Sequence, residues 1–314
     1  MKAVAARVLQ AVSVLFGISV LVFLIFFATP GADPAARLAG RGASPETLAA
    51  VRQEFGLDQP LPVQYARLMR RLFVTRDLTS FVNSGEPVIP AILQAAPVTL
   101  LLAGGAAVLW LAGGLAIGLA AAALRGGADR AVVAAGLLGV SVPAFWLGEV
   151  VNLLTQKTLH HTWLFGWVPP LGLGVSFAGM VLPWTTLALL YAGIYGRVLG
   201  AGLVEALAED YVRTARAKGL SEMRVLLRHA LRLSLIPLVS LFGLDFGSLL
   251  GGGTLLTEVV FGLHGVGKLT YDALQTLDLA MIMATVMYAS LLVVLVNAAA
   301  DACAWALDPR RRVG

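Results

Sequence analysis

Few residues of this chain have both the types and the spacing that chemistry requires. Gly262 to Lys268 reads Gly-Leu-His-Gly-Val-Gly-Lys, the G-x-x-x-x-G-K of a phosphate-binding loop. Such a loop needs Ser or Thr after the lysine to reach Mg²⁺, a strand before it and a helix N-terminus behind the phosphates. Leu269 fails the first condition, and a position at the outer end of an apolar span fails the rest, so nucleotide binding is not expected here. His160 and His161 are adjacent, so on a helix they point about 100° apart. No cysteine or spaced carboxylate stands near them, and no metal site is expected. The single cysteine, Cys303, excludes an intramolecular disulfide and a cysteine-rich metal site. No Ser/His/Asp or Cys/His constellation presents itself, so the chain does not read as an enzyme. What remains is a pair of acidic residues in apolar surroundings, Glu149 and Asp245, and one basic stretch, Asp210 to Leu220, with the sequence DYVRTARAKGL.

The elements that carry these residues are membrane spans. Hydrophobic residues make up 58% of the 314 and charged residues 13%, too few charges to cover a soluble domain. A membrane-spanning helix takes about 20 apolar residues. Six segments are long enough, at roughly 9–28, 97–124, 131–156, 176–196, 233–257 and 279–307. Such runs exclude a β-barrel, whose strands would alternate over about ten residues. Lys2 and Arg7 precede the first span, Arg125 and Arg130 fill the second link, seven Lys and Arg residues fill the link at 197–232, and Arg310, Arg311 and Arg312 close the chain. The alternate links hold Lys157 and Lys268 alone, so both termini and the basic link are expected on the cytoplasmic side. The excess of basic residues is thereby explained by topology, and nucleic acid is not an expected partner. The exception is the long link at 29–95, with seven arginines. Links of that size translocate largely regardless of charge, which places it outside. The apolar core of the first span exceeds the roughly 7–15 residues of a signal peptide, so an uncleaved anchor is expected.

Two parts emerge: residues 1–95, the first span with an external segment, and residues 96–314, a five-helix core. Ser44-Pro45-Glu46 reads as cap, first position and acidic first turn of a helix, and Leu57 to Pro62 as a turn, so the external segment is expected to be a small ordered layer. In the core, Gly243, Gly247 and Gly251 recur every fourth residue, as do Gly114 and Gly118. Small residues at that spacing let helix backbones approach closely. A charge at the bilayer centre costs about 2.5–3.5 kcal/mol on insertion scales, so Glu149 and Asp245 should face a cavity or a partner. They either line a transport path or hydrogen-bond between helices or across a subunit contact. Asn152, Asn297 and Asp301 read as interhelical bonds, and Glu258, at an outer helix end, as a cap or a contact for an external partner.

The basic link reads as two capped helices. Val204 to Lys218 has few breakers, with Glu205, Glu209 and Asp210 early and Arg213, Arg216 and Lys218 late, which suits the helix dipole. Glu209 and Arg213 form an i,i+4 pair in the favourable order. Val204, Leu207, Tyr211 and Ala215 share an apolar stripe. Gly219 is placed to end this helix in a left-handed conformation, and Ser221 to cap a second helix that begins with Glu222. Arg228 and Arg232 then mark re-entry into the bilayer. By these residues alone the elbow is either a positively charged topological loop or a docking surface.

DYVRTARAKGL at 210–220, followed by Arg228-His229-Ala230-Leu231-Arg232 and Ile236-Pro237, resembles the cytoplasmic coupling loop of binding-protein-dependent ABC importer permeases. It is closest to the form in the dipeptide/oligopeptide/nickel permease family. GLDQPLPVQY at 56–65, Val168-Pro169-Pro170, LLGGGTLLTEVVF at 249–261 and the terminal LDPR at 307–310 match further blocks of that family in order, over nearly the whole chain. Departures are Arg213-Thr214-Ala215 where the general importer consensus has Glu-Ala-Ala, one extra residue in Pro30-Gly31-Ala32-Asp33-Pro34, and Ala192-Gly193 for the family's Ala-Arg pair.

The resemblance implies an all-α integral membrane protein with six transmembrane helices, a type I importer permease core and cytoplasmic termini. It implies a transport subunit with no cofactor of its own, paired with a second permease. Two ATPase subunits that bind ATP and Mg²⁺, and an external substrate-binding protein, complete the assembly. The ATPase contact would fall on Glu209, Asp210, Tyr211, Arg213, Thr214, Ala215, Arg216, Ala217, Lys218, Gly219 and Leu220. Peptides lead as substrate, with nickel or another small solute as the alternative. A stand-alone secondary transporter would want repeated halves, discontinuous helices or paired intramembrane charges, and none is evident in the sequence.

Overall fold

The computed structural model describes residues 2–28, 33–40, 42–80, 82–83, 85–124, 142–172 and 176–307. Five helices among them are long and apolar enough to cross a membrane: Leu9–Phe27, Val88–Ala122, Phe177–Ala208, Glu222–Gly253 and Leu279–Ala304. The third expected span falls partly outside the described residues. Its described part is helix α6 (Ala144–Asn152), which runs on into a wider π-helical turn at Leu153–Thr158.

The chain divides into two compact units. The first comprises residues 1–100, 250–259 and 263–295. It begins with helix α1 (Lys2–Phe27), and the expected external layer follows it as an ordered structure: α2 (Pro34–Ala39), α3 (Pro45–Phe55), α4 (Leu61–Met69) with a π turn at Arg70–Thr75, and a short antiparallel pair, β1 (Thr79–Ser80) and β2 (Glu86–Pro87). The caps are those the residues dictate. Ser44 accepts a hydrogen bond from the Thr47 amide at 3.1 Å, Pro45 starts α3, and Gly56 ends it at φ +61°. Buried Gln64 donates to the carbonyls of Leu57 and Gln59 at 3.0 and 2.7 Å, which fixes the turn between α3 and α4. Val51, Phe55, Leu68, Leu72 and Leu78 join Val22, Phe23 and Phe27 of α1 in one core, and the Ser19 and Tyr65 hydroxyls meet at 2.6 Å.

The second unit comprises residues 101–249, 260–262 and 296–314. Here α5 (Val88–Leu124) packs on α7 (Phe177–Ala208) through the expected glycines. A Cβ at Gly114 would collide with Tyr195, and one at Gly118 with Leu199, so the two backbones touch where a side chain would hold them apart. Buried Trp110 packs on Tyr191 with ring centroids 4.6 Å apart. Gly243 likewise meets Ala300, and Gly247 faces Asn297.

Four span boundaries differ from the sequence reading. Helix α5 starts at Val88 rather than Pro97 and carries that proline inside it. The fourth span runs on to Ala208. After a short helix α8 (Asp210–Ala217), the fifth begins at Glu222, through α9 (Glu222–Val225), a π turn at Leu226–Ala230 and α10 (Leu231–Ser248), so Arg228 and Arg232 lie on the spanning helix itself. It also stops earlier. The run Gly251-Gly252-Gly253 breaks it, with Gly252 at φ +145°, a conformation open to glycine alone. Residues 255–257 therefore belong to a separate short helix, α11 (Leu255–Val260), followed by α12 (Val266–Thr276) and α13 (Leu279–Leu307).

The coupling elbow and the buried carboxylates

The elbow has a folded core of its own. Helix α7 stops at Ala208 because Glu209 turns extended, at φ −71° and ψ 152°, and its carbonyl accepts from the amides of Val212 and Arg213. Helix α8 (Asp210–Ala217) starts there, so the expected continuous helix from Val204 to Lys218 is two helices. The break resets the register. Val212 and Ala215 turn inward onto Val225, flanked by Leu207 and Leu220, whereas Tyr211 and Val204 are exposed. The expected stripe through Val204 and Tyr211 therefore does not form. Arg213 pairs with Asp210 at 3.1 Å rather than with Glu209, because Glu209 lies outside the helix.

Gly219 ends the segment at φ +76°, as its type and place predict. Ser221 takes the extended backbone of a cap, but its hydroxyl makes no capping bond. What closes the elbow is a contact the sequence reading missed. The Arg216 guanidinium donates two parallel hydrogen bonds, at 2.8 and 3.0 Å, to the Glu222 carboxylate on the far side of Gly219. The i,i+6 spacing across a glycine turn was its only signal. Such a fork fixes geometry as well as charge. Asp210, Tyr211, Arg213, Thr214, Ala217 and Lys218 remain on the exposed face, with Arg216 and Leu220 partly covered. This presents both signs of charge and one aromatic ring on a rigid turn.

The two acidic residues singled out in the core are not brought together. Asp245 is half-buried and accepts a hydrogen bond from the Tyr195 hydroxyl at 2.9 Å, joining α10 to α7. Glu149 lies exposed on α6. Asn152 donates to the Val260 carbonyl at 2.8 Å, an interhelical bond as expected. Asn297 stands against Gly247, and Asp301 is exposed. His160 and His161 have ring centroids 6.4 Å apart, and no group of three metal-ligating side chains forms among the described residues.

Glu258 has the most unusual surroundings. It is fully buried, and all its partners donate. Thr99 Oγ1 donates to one carboxylate oxygen at 2.8 Å, and the Lys268 amide to the other at 2.9 Å. Thr99 in turn accepts from the Val266 amide at 2.8 Å. Glu258 is thus a cap, as one of its two readings had it, but for the following helix rather than its own. This also explains the phosphate-loop spelling. The glycines at 265 and 267 leave room for an anion at the N-terminus of α12, and a Cβ at either would meet Glu258. The anion is the chain's own carboxylate, and Lys268 Nζ pairs with Asp272 at 2.9 Å instead of with a phosphate. Asp278 repeats the device nearby: it accepts from Ser80 and caps α13 through the Met281 amide.

Comparison with known proteins places the chain in a family. Residues 114–313 match the family described as binding-protein-dependent transport system inner membrane component, and residues 1–103 match the N-terminal part of such membrane components. A Brucella abortus (strain 2308) protein provisionally named a peptide transport system permease is 38% identical over 311 residues, covering 98% of this chain and 97% of its own. A glutathione transport system permease protein of Salmonella paratyphi A is 38% identical over 307 residues, with the same two coverages. Its counterpart in Escherichia coli O6:H1 is 37% identical over 307 residues, again covering 98% and 97%. With both family regions matched in order along an apolar, multi-span chain, this protein belongs to the inner membrane components of binding-protein-dependent transport systems.

Proposed function

We propose that the chain is the permease of an ATP-driven importer of peptides and that the elbow at 209–222 is where a separate ATPase docks. The observation that carries this reading is the elbow itself. A topological loop needs basic residues but no core, no left-handed glycine and no bidentate clamp. This link has all three, and they hold Asp210, Arg213 and Lys218 on one exposed, preorganised face. The names of the relatives, a peptide permease and a glutathione permease, support a peptide as cargo, glutathione being itself a tripeptide.

In this reading a second permease completes the pore, two ATPase subunits bind ATP and Mg²⁺, and an external protein delivers substrate. Closure of the ATPases draws the elbows together, and the long continuous helices on either side, Phe177–Ala208 and Glu222–Gly253, carry that movement into the bilayer. Residues 1–95 provide the anchor and external layer, and 96–314 the moving core. The test is co-purification. Replacing residues 210–220 by a Gly/Ser linker should leave membrane insertion intact and abolish capture of the ATPases. Undiminished capture would remove the docking role.

A further inference from the structure

The link between the third and fourth spans has a composition unlike the rest of the surface. No Asp, Glu, Lys or Arg occurs between Lys157 and Arg197. Within that stretch, residues 159–172 fold as a chain of turns, partly bonded to itself through the backbone. Amide-to-carbonyl bonds run from Leu159 to Leu154, Thr162 to Leu159, Gly166 to Thr162 and Val168 to Phe165. Gln156 fastens the far end by donating to the Pro169 carbonyl at 2.9 Å, and Val168 is buried beneath. The outer surface is mainly apolar and aromatic, with His161 and Thr162 also exposed beside Trp163. Trp163 is 91% exposed, Trp167 48% and Leu164 50%. The indole N–H of Trp167 is already used, donating to the Leu164 carbonyl at 2.7 Å.

We propose that this loop is an interfacial anchor, lying with Trp163, Leu164 and Trp167 in the headgroup layer of the outer leaflet. Its position and chemistry select lipid over protein as the occupant. It joins the third span expected from the sequence to the fourth, Phe177–Ala208, which puts the rings at the level of the bilayer surface, where tryptophan is favoured. Non-helical backbone near hydrocarbon needs partners for its polar groups. The amides of Leu159, Thr162, Phe165, Gly166 and Val168 find theirs within the loop and the turn before it, which suits the headgroup layer, where water serves the rest. A docking face for a soluble partner would be expected to offer charged residues for steering and register, and this one offers none.

The experiment uses the full-length chain in lipid nanodiscs. Because Cys303 is the only cysteine, Cys303→Ser gives a background in which Trp163→Cys can carry a bimane label. Trp163 is nearly wholly exposed, so the substitution disturbs no packing. A label at exposed Arg224→Cys, on α9 just after the elbow, is the control. The expected result is that shallow spin-labelled phosphatidylcholine removes about half of the emission at 163 while aqueous iodide removes little, the reverse of position 224. Strong iodide quenching at 163 without lipid quenching would overturn the proposal. So would shielding from both quenchers, which would mean burial in another protein surface. Shielding that appears only when the external binding protein is added would overturn it in favour of a docking face.

Discussion

Glu258→Gln isolates the worth of the internal anion. In the native structure one carboxylate oxygen takes the Thr99 hydroxyl and the other the Lys268 amide, with no water-exposed surface. Glutamine keeps one acceptor oxygen and turns an amide N–H₂ toward the remaining donor. One hydrogen bond to a charged group is lost, about 1.5–3 kcal/mol, and a buried donor is left unpaired, so a cost of about 2–4 kcal/mol is expected. Glu258→Ala removes both bonds and leaves a void, and should cost about 3–5 kcal/mol. The measurement is reversible unfolding in mixed micelles with increasing SDS, followed by circular dichroism. Thr99→Val completes a double-mutant cycle, because Thr99 bonds both Glu258 and the Val266 amide. Coupling of at least about 1 kcal/mol between positions 99 and 258 is expected for partners in one network. A Glu258→Gln cost below about 0.5 kcal/mol, the range of surface changes, would refute the reasoning.

Other consequences can be checked in the same preparations. Arg216→Glu should change global stability by less than about 1 kcal/mol, since the pair is largely exposed, yet lower ATPase capture. The reversal Arg216→Glu with Glu222→Arg should restore capture, and failure to do so would detach the clamp from docking. Gly219→Ala forces a Cβ into a left-handed conformation at about 1–2 kcal/mol, and should weaken ATPase affinity without hindering insertion. Gly114→Val drives a side chain into Tyr195 and should destabilise by about 1–3 kcal/mol in the SDS titration. Tyr195→Phe removes the bond to Asp245 and should cost about 0.5–1.5 kcal/mol, but almost nothing in an Asp245→Ala background. An equal cost in both backgrounds would show that Tyr195 acts without Asp245.

What could be read in the sequence was what a local rule decides. Gly219 ends its helix because few other residues tolerate φ +76°, and Ser44-Pro45-Glu46 starts one because each residue suits its position. The glycine spacing at 114/118 and 243/247 announced close backbones, and the partners touch there. The failures share a different cause: each depended on a residue distant in sequence or on where a helix broke. Apolar residues on both sides of Pro97 or Gly252 give no hint that one of these helices continues and the other stops. A helix read through Glu209 assigned Tyr211 to the inner face, and one extended residue moved that role to Val212.

Glu258 shows the same limit in its sharpest form. Its sequence neighbours, Thr254 to Val260, offer hydroxyls but no cation to pair with a charge. Two of its donors come from Thr99, 159 residues away, and from the loop whose glycines resemble a phosphate-binding loop. On sequence alone the spelling G-x-x-x-x-G-K is weighed only as a phosphate-binding loop, whereas the structure sets a carboxylate, Glu258, against that backbone. The missing step was that a lone buried carboxylate and an unfilled helix N-terminus in the same chain are each other's solution. Either one alone would cost several kcal/mol to bury, so finding both in one apolar sequence is already an argument that they meet.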